Sequence, residues 1–201
     1  MAEDEREPKP DGAGLAGKAA LQAEIDRLKT ELLEAEWKIA ELEARADIDP
    51  MLDVFNRRGF ERELARSLAY VQRYGTTAAL LYIDLDGFKT VNDRHGHAAG
   101  DVLLQAVVAR VKAHVRASDV VARLGGDEFA VLMWNVGEAQ AMAKARGLEI
   151  AIAAEPVVHG DAAIAVAASV GAVPLSPDTA AAALIDAADR AMYCRKKERR
   201  A

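Results

Sequence analysis

Two clusters of carboxylates carry the chemistry open to this sequence. The first, Asp84-Leu85-Asp86-Gly87-Phe88-Lys89 followed by Val91-Asn92-Asp93, ends a near-continuous apolar run from Thr77 to Leu85. A carboxylate at the end of a buried strand is costly unless something pairs with it. Asp84 and Asp86 are two apart, so on a continuing strand they share a face. Hard oxygen donors held that way suit Mg2+ or Mn2+. Gly87 lets backbone N–H groups approach a phosphate, and Lys89 adds a cation beside them. Taken alone, a polar turn after a strand explains the same residues. The second cluster is Arg123-Leu124-Gly125-Gly126-Asp127-Glu128-Phe129. Its glycines permit a tight hairpin with positive φ, and two consecutive carboxylates sit at the tip. Apolar Val120-Val121 before it and Phe129–Met133 after it make this a central hairpin rather than a solvated turn.

The elements that must position these groups follow from apolar periodicity. Residues 57–73 predict a helix with Phe60, Leu64, Leu68 and Val71 on one face, and Thr77–Leu85 a buried strand. Residues 98–116 predict a second helix, with Leu103, Leu104, Val107, Val108 and Val111 inward. Val120–Leu124 and Glu128–Trp134 form the hairpin strands, residues 137–153 an Ala-rich helix, and Ile164–Val173 a further strand. Residues 178–198 predict the last helix, with Leu184, Ile185, Ala188 and Met192 inward. Alternating helices and strands with a hairpin in the middle imply an α+β, mixed-sheet architecture rather than a pure Rossmann fold.

Upstream, Leu21, Ile25, Leu28, Leu32, Ala35, Ile39, Leu42 and Ala46 follow an unbroken 4-3 spacing. With Ile25, Leu32, Ile39 and Ala46 at a and Leu21, Leu28, Ala35 and Leu42 at d, the seam fits a parallel two-stranded coiled coil. Across such a dimer Glu24 would face Lys29 and Lys38 would face Glu43, whereas Glu31 would meet Glu36. A single amphipathic helix lying on its own domain is the alternative. Trp37 falls at f, on the outward face. The expected organisation is a mobile tail over 1–20, a dimerising coil over 21–46 and a folded domain over 47–201.

The chain has 201 residues, a net charge of −6, 51% hydrophobic residues and one cysteine, Cys194. That is one ordinary domain plus a short extension, with no internal disulfide and no cysteine-clustered zinc site. No run is apolar enough to span a membrane, and the acidic MAEDEREPKP start is unlike a signal peptide, so a cytoplasmic location is expected. Residues 1–46 hold 12 acids and 7 bases (−5); the remaining 20 acids and 19 bases give −1. The domain is near neutral, with Arg195-Lys196-Lys197-Glu198-Arg199-Arg200 a concentrated cationic end. That suits a small polyanionic ligand better than nucleic acid.

These blocks together resemble the GGDEF domain, the diguanylate cyclase family. Gly125–Phe129 is the family signature as it stands, a match expected by chance roughly once in a million windows. Asp84–Lys89 with Asn92-Asp93, Gly96-His97 and Gly100-Asp101 matches the upstream block. Asn56-Arg57-Arg58 matches the opening motif, and Asp189-Arg190-Ala191-Met192-Tyr193 with Lys196 matches the final helix. The resemblance covers about Asp47 to Arg200. It implies a fold like the nucleotidyl cyclases and the polymerase palm, with a central, mostly antiparallel sheet flanked by helices. It implies condensation of two GTP into cyclic di-GMP with release of two pyrophosphates, across a dimer of domains that each hold one GTP.

By the same resemblance, Asp84, Asp127, Glu128 and the Leu85 carbonyl would bind the divalent metals (Mg2+ or Mn2+). Glu128 would also activate the 3′-hydroxyl. Asn92 and Asp101 would read guanine, whose N1–H and N2–H donors adenine lacks. Phe88 would contribute to the substrate site, and Lys89, Lys196 and Arg200 would meet the phosphates. A solvated basic helix end is the plain alternative for Lys196 and Arg200. Asp93, His95 and His97 read as loop and capping residues rather than metal ligands.

Arg116-Ala117-Ser118-Asp119 stands where the family carries its inhibitory product site, with Arg146 beside the ungapped position (Gly147) of the completing arginine. Guanidinium and carboxylate suit a guanine edge and a phosphate. Two departures stand out. The family's Thr-Gly in the opening motif is Leu52-Asp53 here, and Arg199 replaces a usual Gly. Rival readings are a silent GGDEF domain binding GTP or cyclic di-GMP as a receptor, and a coiled-coil interaction module, with a regulatory protein possible at the coil.

Overall fold

The computed structural model describes residues 12–200, with side chains at 18, 21–35, 37, 38 and 46–199. It divides into two compact units, one ending at Arg45 and the other starting at Ala46. The first consists of helix α1 (Gly12–Ala46). Of its heptad residues, Leu21, Ile25, Leu28 and Leu32 are 63%, 37%, 51% and 59% exposed. The side chains of Ile39 and Leu42 lie outside the described residues. Residues 12–20, expected in a tail, are already helical and run on without a break into the heptad segment. Residues 1–11 of that tail lie outside the described residues.

The second unit runs β1 (Ile48–Asp49), β2 (Val54–Phe55), α2 (Arg57–Tyr74), β3 (Ala78–Leu85), α3 (Phe88–His95), α4 (His97–His114), β4 (Val120–Gly125), β5 (Glu128–Trp134), α5 (Glu138–Ala153), β6 (Val157–His159), β7 (Ala162–Ile164), β8 (Ala168–Pro174) and α6 (Ala181–Arg200). Its six-stranded sheet has the order β1-β2-β4-β5-β3-β8, and β6 pairs with β7 apart from it. Only β2–β4 is parallel; the other neighbours are antiparallel. The expected α+β, mostly antiparallel sheet is thus observed.

Strand β3 is paired on both edges, with β5 and β8, and helices cover both faces of the sheet, so it reads as a continuous apolar run. Leu81, Ile83 and Leu85 join Leu103, Leu104 and Val107 of α4 and Leu148 and Ile152 of α5 in one core. Leu80 and Tyr82 point the other way, toward Phe60 and Leu64 of α2 and Leu184, Ala188 and Met192 of α6. The sheet is a two-faced layer, with α4 and α5 on one side and α2 and α6 on the other. Full burial of each large apolar side chain contributes roughly 1.5–3 kcal/mol before entropy. The approach of α6 to β8 is set at Gly171: a Cβ there would collide with the Ala188 carbonyl and the Met192 backbone nitrogen.

Three elements differ from expectation. The predicted helix over 98–116 is α4, but it is preceded across Gly96, at φ 83°, by a short helix, α3, that was not expected. The predicted strand over 164–173 is β8 alone. Ile164 belongs to the β6–β7 hairpin, which turns at Gly160 with φ 57°. Strands β1 and β2 are two residues each and carry no periodicity to detect.

The Leu52-Asp53 departure has a structural account. Asp53 takes φ 51°, in the left-handed region that the family fills with Gly, and Asp is one of the few side chains to tolerate it. Its N–H donates to the Asp49 carbonyl at 3.0 Å. Leu52 is buried in the core.

Candidate functional site

The two carboxylate clusters meet at one end of the β3–β5 pair. Asp84 lies directly opposite Glu128 in the antiparallel register, and the Leu85 N–H donates to the Asp127 carbonyl at 3.2 Å. The hairpin tip is shaped by Gly126, at φ 36°, and by a register shift between Arg123 and Gly125. Arg123 donates from Nε and Nη2 to the Gly126 carbonyl at 3.1 and 2.9 Å, and from Nη1 to Asp49 Oδ2 at 3.2 Å. Arg57, at the first turn of α2, donates from Nε to the Leu124 carbonyl at 2.9 Å and places Nη2 3.8 Å from Glu128 Oε2.

Cations from α6 enter the same cluster. Lys196 pairs with Asp84 through Nζ and stands 3.8 Å from Asp86 Oδ1. Arg199 donates to the Ala168 carbonyl and lies 3.5 Å from Asp86 Oδ2. The departure at Arg199 therefore adds a cation beside Asp86. Ser169 Oγ on β8 donates to Asp86 Oδ1 at 3.1 Å. Arg57 and Asp86 belong to motifs visible in the sequence. Nothing in the sequence marks Ser169, which sits within an apolar strand.

Electrostatics follow from this crowding. Burial pushes the Asp127 carboxyl above its ordinary range, and the Asp84 charge pushes the same way, with Lys196 and Arg123 offsetting part of it. Burial, then the Glu128 charge, raises the Tyr82 hydroxyl. A raised acid binds its proton more tightly folded than unfolded, so the ionised form costs stability as pH rises through the folded value. Asp127→Asn is expected to raise the melting temperature at pH 7 relative to the unchanged chain and to narrow that gap near pH 3. An unchanged or lower melting temperature at pH 7 would refute the reading.

The donor set fits a hard divalent cation. Asp84 and Asp127 repel each other at the site, and a cation between them would relieve both. No group of three or more His, Cys, Asp or Glu that could hold a metal occurs among the described residues. Mg2+ needs only one or two protein carboxylates and fills its remaining positions with water and phosphate oxygen.

Beside this cluster, α3 opens at Gly87 (φ 76°) with no side-chain cap. Its first turn carries Lys89, which is exposed, and a helix start offers N–H donors suited to an anion. Asn92 on α3 packs against Gly100 on α4; a Cβ at Gly100 would strike Asn92 Oδ1 and come within 3.3 Å of Phe88 Cζ. Asn92 Oδ1 is the one buried side-chain polar atom without a partner among the described residues. Asp101 follows Gly100 and is exposed. Asn92, Asp101 and Phe88 therefore gather along the α3–α4 hairpin. The Arg200 side chain lies outside the described residues.

Arg116 and Asp119 occupy the α4–β4 turn. Asp119 Oδ2 accepts from the Arg116 N–H at 2.8 Å and Oδ1 from the Trp134 N–H at 3.3 Å, which leaves the Arg116 side chain exposed. The two residues line a cavity of about 210 Å3 together with Gln140 and Lys144 of α5. Arg146 is exposed on α5 and is not among the lining residues. Position 146 sits on a different side of α5 from Gln140 and Lys144, which lie one turn apart on one face.

The family model for the diguanylate cyclase GGDEF domain matches residues 46–201. Among curated proteins, diguanylate cyclase TpbB of Pseudomonas aeruginosa is 36% identical over 195 residues, which is 94% of this chain and 45% of that protein. The chain thus spans under half the length of this relative. Among solved structures, the GGDEF domain of TpbB from Pseudomonas aeruginosa is 38% identical, with a TM-score of 0.70 over 75% of this chain and 89% of that one. The coiled coil and GGDEF domain of DgcB from Caulobacter crescentus, solved in complex with c-di-GMP, shares the fold. It covers 89% of this chain and 95% of its own, at TM-score 0.75 and 23% identity.

Proposed function

From the premise that this chain belongs to the GGDEF family of diguanylate cyclases, we propose that it condenses two GTP into cyclic di-GMP and two pyrophosphates. The observation that carries the reading is the convergence of Asp84, Asp127 and Glu128 at one sheet end against Lys196. Each 3′-hydroxyl oxygen forms a bond to the α-phosphorus of the other nucleotide, and the bond from that phosphorus to pyrophosphate breaks. Such a transfer needs charge stabilisation and in-line positioning rather than covalent help from the protein.

Asp84, Asp127, Glu128 and the Leu85 carbonyl are the groups that would hold the divalent ions. Bound Mg2+ or Mn2+ would neutralise charge on the phosphates. Glu128 takes the proton leaving the 3′-hydroxyl. Lys89, Lys196 and Arg200 meet the phosphates, and the open first turn of α3 adds N–H donors. Asn92 and Asp101, with Phe88 beneath them, read the guanine edge. Asn92 Oδ1, unpartnered and buried, can accept from guanine if the amide turns toward the base, and its Nδ2 can donate.

One domain carries one such cluster, so two domains must face each other. The exposed Leu21, Ile25, Leu28 and Leu32 of α1 supply a seam for a parallel coil between two copies. Incubating the purified chain with GTP and Mg2+, then separating products by chromatography, tests the reading. Accumulation of cyclic di-GMP supports it. Absence of product at every protein concentration leaves a silent receptor instead.

The RxxD turn supports product feedback. Arg116 presents a guanidinium to solvent, and Lys144 rather than Arg146 stands with it on the cavity. Arg116→Ala is expected to weaken inhibition by added cyclic di-GMP by about tenfold or more, the loss typical of a charge-assisted pair, with initial velocity unchanged. Unaltered inhibition constants would remove Arg116 from this role.

A further inference from the structure

We propose that Glu149 is a positioning residue for the nucleotide site, acting through Arg195 to set where Lys196 stands. The inference rests on the reading of Lys196 as a triphosphate-binding cation. Glu149 lies on α5, and its side chain is 8% exposed. An isolated buried carboxylate is expensive, and this one is fully engaged. Oε1 accepts from the Val170 N–H of β8 at 3.1 Å. Arg195 of α6 approaches both oxygens: Nε lies 3.2 Å from Oε1 and 3.3 Å from Oε2, and Nη2 lies 3.0 Å from Oε2. The carboxylate joins three elements.

Each partner of Glu149 is the chain neighbour of a group at the acidic cluster. Val170 follows Ser169, which donates to Asp86. Arg195 precedes Lys196, which pairs with Asp84. The buried face of Leu184, Ala188 and Met192 sets which side of α6 meets the sheet, and polar contacts from its last turns to β8 and α5 refine where those turns stand. At Gly171 the strand offers bare backbone to the Ala188 and Met192 main chain, so no strand side chain keys the helix at that point. A planar guanidinium gripped by a fixed carboxylate resists rotation and sliding, because its donors are directional. Successive residues on a helix are separated by about 100°, so an α6 rotation that releases Arg195 carries Lys196 away from Asp84 by the same angle. Arg195 keeps a second contact, 3.2 Å from Glu198 Oε2 on its own helix. Loss of Glu149 would therefore loosen the last turns of α6 without stranding the guanidinium.

Glu149→Gln tests this, because the amide keeps an acceptor for the Val170 N–H while removing the charge that holds Arg195. The readout is the dissociation constant for the slowly reacting analogue GTPαS with Mg2+, measured in a double-mutant cycle with Lys196→Met. The expected result is binding weakened about tenfold by E149Q, within the range for coupled neighbours, and no further weakening when E149Q is added to K196M. In turnover, KM for GTP rises with kcat changed far less. A merely structural pair would weaken binding equally in both backgrounds, which overturns the proposal, as does an E149Q chain that binds like the unchanged one. Arg195→Gln must reproduce the same cycle, and it decides the matter alone if E149Q does not fold. If the unchanged chain binds GTPαS but yields no cyclic di-GMP, the cyclase reading fails while the cycle still judges Glu149. If it does not bind GTPαS, both fall.

Discussion

Glu128→Gln is expected to lower the initial rate of cyclic di-GMP formation by about 10^2–10^4-fold, the usual worth of a positioned general base, with stability within about 0.5 kcal/mol of the unchanged chain. The substitution preserves shape and removes the ability to take a proton or to help hold a cation. Little else should change. Glu128 is 37% exposed in its side chain, and Arg57 stands 3.8 Å away and is itself half exposed, so their attraction is screened and contributes little to the fold. The backbone at 128 is held by its β3 partner Asp84 and not by the carboxylate. Binding of GTPαS should survive, since the base-reading groups on α3 and α4 and the cations on α6 are untouched. Rates measured at saturating GTP, together with thermal melts, check both halves. Turnover within a few-fold of the unchanged chain would show that the 3′-hydroxyl loses its proton without this residue.

The contrast with Asp127→Asn is informative. Both carboxylates sit at the hairpin tip, and burial together with the Asp84 charge raises the Asp127 carboxyl. Removing its charge should stabilise the fold and remove a cation-holding group. Removing that of Glu128 should leave stability alone. A site that is more stable without one of its functional charges is storing repulsion that a bound cation would relieve.

What could be read in the sequence follows physical lines. The strands β3, β4 and β5 were legible because each is a central strand with apolar runs between turn residues, and α2, α4, α5 and α6 because each buries one face. Short α3 was not: it buries no residue, so Phe88 and Val91 give no period. The β6–β7 hairpin was merged into β8 because Ile164 and Val166 are both buried though only one is in a strand. At the site, Asp84, Asp127 and Glu128 were found because carboxylates beside apolar strands stand out. Lys196 could be placed only through a motif, since its distance in sequence from Asp84 carries no signal of contact. Ser169 and Glu149 had no signal at all. Their roles exist only once β8, α5 and α6 are packed, and a lone polar residue in an apolar stretch does not say which partner it has. The same holds for Arg146 and Lys144: counting positions favoured the first, whereas the cavity beside Arg116 is lined by the second.

Deleting residues 1–45 is expected to lower cyclic di-GMP synthesis at nanomolar protein by about 10^2–10^4-fold, the gain that tethering gives to a second binding event. The argument is one of stoichiometry. On the proposed reading the reaction joins two nucleotides head to tail, and the domain has one acidic cluster for one triphosphate. Turnover therefore requires two domains to meet. On α1, Leu28 and Leu32 are 51% and 59% exposed within a single chain, an apolar seam that water disfavours and that a second copy would cover. Once paired, the coil keeps the two domains at millimolar effective concentration, and the encounter becomes intramolecular. The truncated unit keeps both cores intact, since neither includes a residue before Leu52. It should melt cooperatively and bind GTPαS normally. Its specific activity should then climb with protein concentration, rate varying as the square of concentration, while the full chain shows constant specific activity. Leu28→Glu with Leu32→Glu in the full chain should reproduce the loss without shortening anything. Undiminished specific activity of a monomeric truncation at nanomolar concentration, with mass confirmed by sedimentation, would mean that the domains find each other through a surface of their own. The seam on α1 would then have some other occupant.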